Sequence, residues 1–153
     1  MAYVAQPPMV VQAGGNKNSK NLPVGADGRE WSNGLLSCCN APGTCVVASC
    51  LPCITYGKVR QRQRHLEMHG TPDPSNGGCV SGSCLFHAFT ACIGIACILQ
   101  MMNRGEVRRR YNIKGSGCGD FFAACCCVPC ELVQEHQELE LEEDSFQGHT
   151  GKH

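Results

Sequence analysis

Apolar positions gather in three runs, and each gives way to a charged stretch. The first, residues 45–59 (CVVASCLPCITYGKV), passes into RQRQRHLEMH. Val59, His65, Leu66 and His69 fit one stripe of a helix there. Gly70 and the TPDPSNGG segment stop that helix and form a loop. The second run, Leu85 to Met102, is 18 residues without a formal charge. At 1.5 Å per residue one helix of that length reaches ~27 Å, just short of a ~30 Å hydrocarbon core. Arg104, Arg108, Arg109, Arg110 and Lys114 follow it, and in a spanning helix they belong on the cytoplasmic side. The alternative is a buried helix of a soluble domain. The third run, FFAACCCVPCELV, is too short to span alone. It enters an acidic segment, Glu131–Asp144, with Leu132, His136 and Leu139 at i, i+4, i+7. That spacing predicts an amphipathic helix whose acidic face is solvated or, alternatively, docks the basic segments 58–64 and 104–114.

Outside these runs the chain predicts little regular structure. Residues 1–30 carry Pro, Gly, Asn and Lys without periodicity and read as a disordered tail. Residues 145–153 read the same way. The domain between them, 31–144, is expected to be mainly α: a small Cys-rich helical domain with one or two apolar helices.

Composition changes this picture in one respect. Fourteen of 153 residues are cysteine, and all lie between Cys38 and Cys130. Such density fits a secreted disulfide scaffold or a reduced protein that uses thiolates for metal. The N-terminal segment lacks a basic region followed by an apolar one, so the reduced, cytosol-facing reading is preferred. Net charge is zero, with 13 basic and 13 acidic residues, which argues against a nucleic-acid binder.

The chemistry-bearing motif is a weak repeat. Cys50-Leu51-Pro52-Cys53 recurs as Cys127-Val128-Pro129-Cys130, 77 residues later. Two thiolates at this spacing can grip one tetrahedral metal, and two such knuckles complete a four-thiolate site. A redox dithiol is the weaker alternative, because no strand pattern precedes either copy. Cys38, Cys39, Cys45 and Cys126 are auxiliary ligands. Cys92 and Cys97, inside the apolar run, are expected to be packing atoms. His65 and His69 would share a helix face, more simply a polar face than a metal site. No nucleophile elbow, P-loop or dinucleotide fingerprint is present, so no enzyme is expected.

Taken together, these elements resemble the cysteine-rich placenta-specific gene 8 family, which includes onzin, cornifelin, plant cadmium-resistance proteins and cell-number regulators. The matching residues are Trp31 to Leu35 (WSNGL), Cys38, Cys45, Cys50 to Gly57 (CLPCITYG), Arg108 to Tyr111 (RRRY), Gly115, Asp120, and Cys126 to Glu135 (CCVPCELVQE). The extra cysteines 79, 84, 92, 97 and 125 depart from the pattern. The resemblance implies association with a membrane, often the plasma membrane, self-association into homo-oligomers, and tolerance or transport of cadmium and zinc. The expected protein is therefore membrane-associated and handles Zn2+ or Cd2+ through Cys38, Cys39, Cys45, Cys50, Cys53, Cys126, Cys127 and Cys130. Its rival is a soluble zinc-structured module that binds a protein partner through 131–144.

Overall fold

A computed structural model of the chain describes residues 15–150, with side chains through Phe146. The described residues are mainly helical, as expected. A 3-10 turn, Ser37–Asn40, precedes six helices: α1 (Pro42–Cys50), α2 (Pro52–His69), α3 (Gly82–Cys92), α4 (Ala96–Tyr111), α5 (Gly117–Cys126) and α6 (Val128–Thr150). They form three pairs of one kind. A short apolar helix ends at a cysteine, the chain breaks, and a longer charged helix begins. The breaks fall at Leu51, at Ile93 to Ile95, and at Cys127.

Local chemistry accounts for each break. Pro52 and Pro129 have no N–H and are tolerated only in the first turn of a helix, so α2 and α6 must start there. The predicted single helix over Leu85–Met102 is divided by Gly94, which adopts φ +78°. Only a residue without Cβ takes that conformation readily. Among the described residues no helix is long and apolar enough to cross a membrane.

The three long helices run parallel and in register. Asn103 bonds Glu135 and Arg110 bonds Glu142, both at an offset of 32. Arg62 reaches His136 and Glu143, at offsets of 74 and 81, which bracket the 77 of the sequence repeat. The starts of α2, α4 and α6 are therefore level. Cys53, Cys97 and Cys130 all lie in the first turns of these helices, so the repeat seen twice in the sequence has a third, divergent copy at Ala96-Cys97.

α6 is the central helix. Every side chain from Glu131 to Leu139 is buried except the half-buried His136. Leu132 and Val133 pack on Ala48 and Tyr56. Leu139 packs on Val59, Leu66, Val107, Tyr111 and Ile113. Gly57 lets α3 approach α2: a Cβ there would lie 2.8 Å from Cys84 Cβ.

The acidic face is not solvated. Glu138 and Glu142 are buried against Arg29 and Arg110. Arg62 pairs with Glu143. The alternative, docking of the basic segments, is what the fold does within one chain. Residues 15–30, part of the tail read over 1–30, are placed against the helical domain. Arg29 is 2% exposed, and its backbone pairs with Asn112 and Lys114. Ser19 Oγ donates to Leu141 O at 2.7 Å. Residues 1–14 lie outside the described residues. At the other end α6 continues to Thr150, with Phe146 packed on the core, where a disordered end was expected. Residues 151–153 lie outside the described residues.

Candidate functional site

The apolar residues that the core does not use are on the surface. The short helices α1, α3 and α5 carry one formal charge, the buried Asp120. Val46 and Val47 of α1, Leu85, Phe86 and Phe89 of α3, and Phe121 and Phe122 of α5 are exposed. Ile93, Ile95, Ile98 and Met102 continue this surface through the α3–α4 corner. Phe89 and Phe122 are 63% and 65% exposed. His87, Thr90 and Asp120 of the same helices point inward. His87 is 1% exposed, stacks on Tyr56 at 4.5 Å between ring centroids, and meets Gln100 at 3.0 Å. Asp120 accepts from Arg108 at 2.9 Å and lies 3.3 Å from Arg104. One half of the molecule is thus apolar outside and polar inside.

The cysteines line the corners of this half. Three pairs of thiols are neighbours close enough to influence each other's titration: Cys38 with Cys45, Cys53 with Cys84, and Cys97 with Cys125. Burial, and then the partner thiol, raise the pKa of Cys45, Cys84 and Cys125. Cys127 and Cys130 form a disulfide. Cys39, Cys50 and Cys126 are exposed and free. The eight predicted ligands are therefore not gathered into one four-thiolate site. Among the described residues no group of three or more His, Cys, Asp or Glu is placed to hold a metal ion. Cys92 is exposed rather than a packing atom, and Cys97 is half-buried against Cys125. His65 and His69 do share a face, with rings stacked at 4.3 Å, and His65 Nδ1 meets Thr71 O at 2.9 Å.

Beneath the corners lies a buried polar layer that sequence reasoning missed. Glu131 and Glu135 are both 0% exposed. Burial, and then the neighbouring Glu135, hold the Glu131 carboxyl well above the usual range. Burial pushes Glu135 up to about 8 against the opposing pull of Arg104 and a hydrogen bond from Asn103. Arg104 donates to Gln134 Oε1 at 2.7 Å and sits 4.2 Å from the centroid of the Trp31 ring. Trp31, Arg104 and Asp120 thereby bind the N-terminal segment, α4 and α5 into one cluster. The sequence signal was available: equal numbers of acidic and basic residues, and a glutamate helix begun by an apolar run.

Residues 31–138 match the PLAC8 family over more than half of the chain. The chain belongs to the PLAC8 family. It is 33% identical over 110 residues to the protein Plant Cadmium Resistance 2 of Arabidopsis thaliana, covering 72% of this chain and 66% of that one. It is 29% identical over 111 residues to Cell number regulator 1 of Zea mays, covering 72% and 53%. Cornifelin homolog B of Xenopus laevis is 29% identical over 116 residues, covering 76% and 83%. The match thus spans between half and two thirds of the two plant relatives. No solved structure matches the chain. The matched region contains all six cysteines of the thiol pairs and the Glu131–Glu135 layer. Three of the six, Cys84, Cys97 and Cys125, are among the cysteines that depart from the family pattern noted above.

Proposed function

We propose that this PLAC8-family protein associates with a membrane through its apolar half and handles soft divalent cations with its paired thiols. The observation that carries the membrane reading is the inverted half: exposed phenylalanines and aliphatic residues on α1, α3 and α5, with His87, Asp120 and Gln100 inside. Such a surface exceeds what a solvated domain tolerates. None of its helices is long and apolar enough to cross, so the reading is insertion into one leaflet, with the arginine-rich ends of α2 and α4 toward the headgroups and the cytosol. Burying a phenylalanine side chain is worth about 1.5–3 kcal/mol. Each of Phe86→Ser, Phe89→Ser, Phe121→Ser and Phe122→Ser should therefore weaken partition into liposomes by about tenfold or more. Flotation of the purified chain with phosphatidylcholine–phosphatidylserine vesicles measures this. A wild-type chain that stays at the bottom of the gradient would sink the membrane reading, as would a fourfold Ser variant that floats unchanged. A soluble interaction module has no need of these four exposed rings.

The metal reading rests on the thiol pairs and on relatives whose names record cadmium resistance. Thiolate softness suits Zn2+ and Cd2+, and a tetrahedral site needs four donors. Each pair supplies two, so water or a second copy of the chain completes it, which makes a homo-oligomer the natural carrier. Cys127 and Cys130 can join only after their disulfide gains two electrons and two protons from a thiol reductant. The protein is in this view a binder or conduit, not an enzyme. Cadmium titration followed by thiolate-to-metal absorption tests the assignment. Replacing Cys38, Cys45, Cys53, Cys84, Cys97 and Cys125 by serine should remove the high-affinity signal. Unchanged stoichiometry in that variant would refute the pairs as ligands.

A further inference from the structure

The polar layer under the thiols has an excess of oxygen acceptors. The offset of 32 between α4 and α6 sets Gln100 within one residue of the level of Glu131. The offset of about 77 between α2 and α6 sets Thr55 at the same level. Glu131, Gln100 and Thr55 are 0%, 1% and 3% exposed. Neither carboxylate oxygen of Glu131 receives a hydrogen bond, and Gln100 Oε1 and Thr55 Oγ1 have no partner. One turn along α6, Glu135 Oε1 is also without a donor, while its Oε2 accepts only from Asn103 Nδ2 at 2.7 Å.

The nearby cations do not compensate for this. Arg108 is committed to Asp120 through both Nε and Nη2. Arg104 reaches Asp120, Gln134 and the Trp31 ring, and although its Nε and Nη1 make no hydrogen bond, it is one charge shared among three carboxylates. Three carboxylates face two guanidiniums, which leaves one negative charge in excess. Buried carboxylates in that position are paired, protonated or bound to a metal. The donors here are carboxylate, amide and hydroxyl oxygens, with no sulfur among them. That set suits a hard divalent cation of the Ca2+ or Mg2+ class, which takes roughly six to eight oxygens, water included.

We propose that Glu131 and Glu135, with the side-chain oxygens of Gln100 and Thr55, form a hard-divalent-cation site inside the three-helix layer. It is chemically distinct from the thiols at the corners and does not rest on the soft-metal reading. Two carboxylates supply the charge, and one neutral oxygen from each of α2 and α4 completes the cage. The cation would tie the three parallel helices together at one level.

Calorimetric titration of the reduced full chain with Ca2+, and separately with Mg2+, tests this at pH 7.5. Neither ion competes well for thiols, so the corner cysteines stay silent. Saturable binding with a rise in Tm is expected for at least one of the two ions. Glu131→Gln should weaken it about 100-fold and abolish the Tm rise. Glu140→Gln, on an exposed position of the same helix, should leave it unchanged. Glu131→Gln puts a neutral amide in place of a carboxyl that makes no hydrogen bond, so without cation its Tm should equal or exceed that of the wild type. Should that variant misfold, Gln100→Leu provides the second test, with an expected loss of about tenfold. Absence of saturable binding of both ions overturns the site and leaves a shared proton as the neutralising species. Wild-type affinity in a folded Glu131→Gln protein also overturns it.

Discussion

Replacing Glu138 by alanine is expected to cost about 3–5 kcal/mol of folding free energy. Glu138 is 2% exposed and accepts from Arg29 Nη2 at 3.1 Å, Ser32 N at 2.5 Å and Ser32 Oγ at 3.0 Å. Arg29 in turn spends its other donors on Tyr111 O, Glu30 O, Ser32 Oγ and Lys17 O. Removing the carboxylate therefore strands a buried guanidinium and frees the segment around Ser32 from α6. The size of the loss comes from the stranded charge more than from the lost contact. Arg29→Met/Glu138→Leu should then recover most of it, because replacing both partners avoids the unpaired ion. Glu140→Ala, exposed on the same helix, should change stability by less than about 0.5 kcal/mol. Urea unfolding of the four proteins gives the double-mutant cycle. A Glu138→Ala loss no larger than that of Glu140→Ala would show that the pair does not hold the segment.

That pair also shows where sequence reasoning stopped. The helix over 131–144 was legible from Leu132 and Leu139, and the loop after His69 from Gly70. The C-x-P-C repeat was legible too, and its 77-residue offset proved to be the register of two parallel helices. The acidic residues were read as solvated because charge is normally outside. Their partners lie 32, 81 or 109 residues away, at Arg110, Arg62 and Arg29, and no local pattern reports such distances. The run 85–102 was read as one helix because it carries no charge. The informative residues were its few polar ones. His87 and Gln100 bond each other across the corner at Gly94, so the two halves of the run must fold back. Neutral composition with few charges hid an interior where most charges are paired.

The arrangement of the cysteines was the least legible part, for a related reason. Spacing alone nominated Cys50 with Cys53 and Cys127 with Cys130. The fold instead pairs Cys53 with Cys84 and Cys97 with Cys125, across helices. The cysteines that depart from the family pattern complete those pairs. Thiols brought together across helix corners cannot be read from i, i+3 spacing.

Stability should fall as pH rises from about 6.5 to 8, which is the opposite of an ordinary buried ion pair. Glu135 is pushed up to about 8 by burial, so the folded chain keeps a proton that the unfolded chain loses above about 4.5. The folded state binds more protons across that window, and its advantage is full below 4.5 and lost as pH approaches 8. Glu131 shifts in the same direction and is coupled to it, so the two titrate as a pair. His136 acts in the other sense. Burial, then Arg62 and Lys58, push it down to about 4, and its Nδ1 meets Arg62 Nη1 at 2.9 Å, which requires the neutral ring. The unfolded imidazole takes a proton below about 6.5, so folding is penalised as pH falls from 6.5 to 4, by about 3 kcal/mol in all. Between 4.5 and 6.5 the two slopes oppose, so the profile is shallower there than above 6.5. Above 6.5 the histidine no longer opposes, and the Glu135 proton alone accounts for a decline of about 2 kcal/mol to pH 8. Urea unfolding in divalent-free buffer across pH 4–8 measures this profile. Glu131→Gln/Glu135→Gln should abolish the decline above 6.5. His136→Gln, which keeps an acceptor for Arg62, should steepen the fall between 4.5 and 6.5. A double glutamine variant whose slope from 6.5 to 8 parallels that of the wild type would remove the buried pair as its cause.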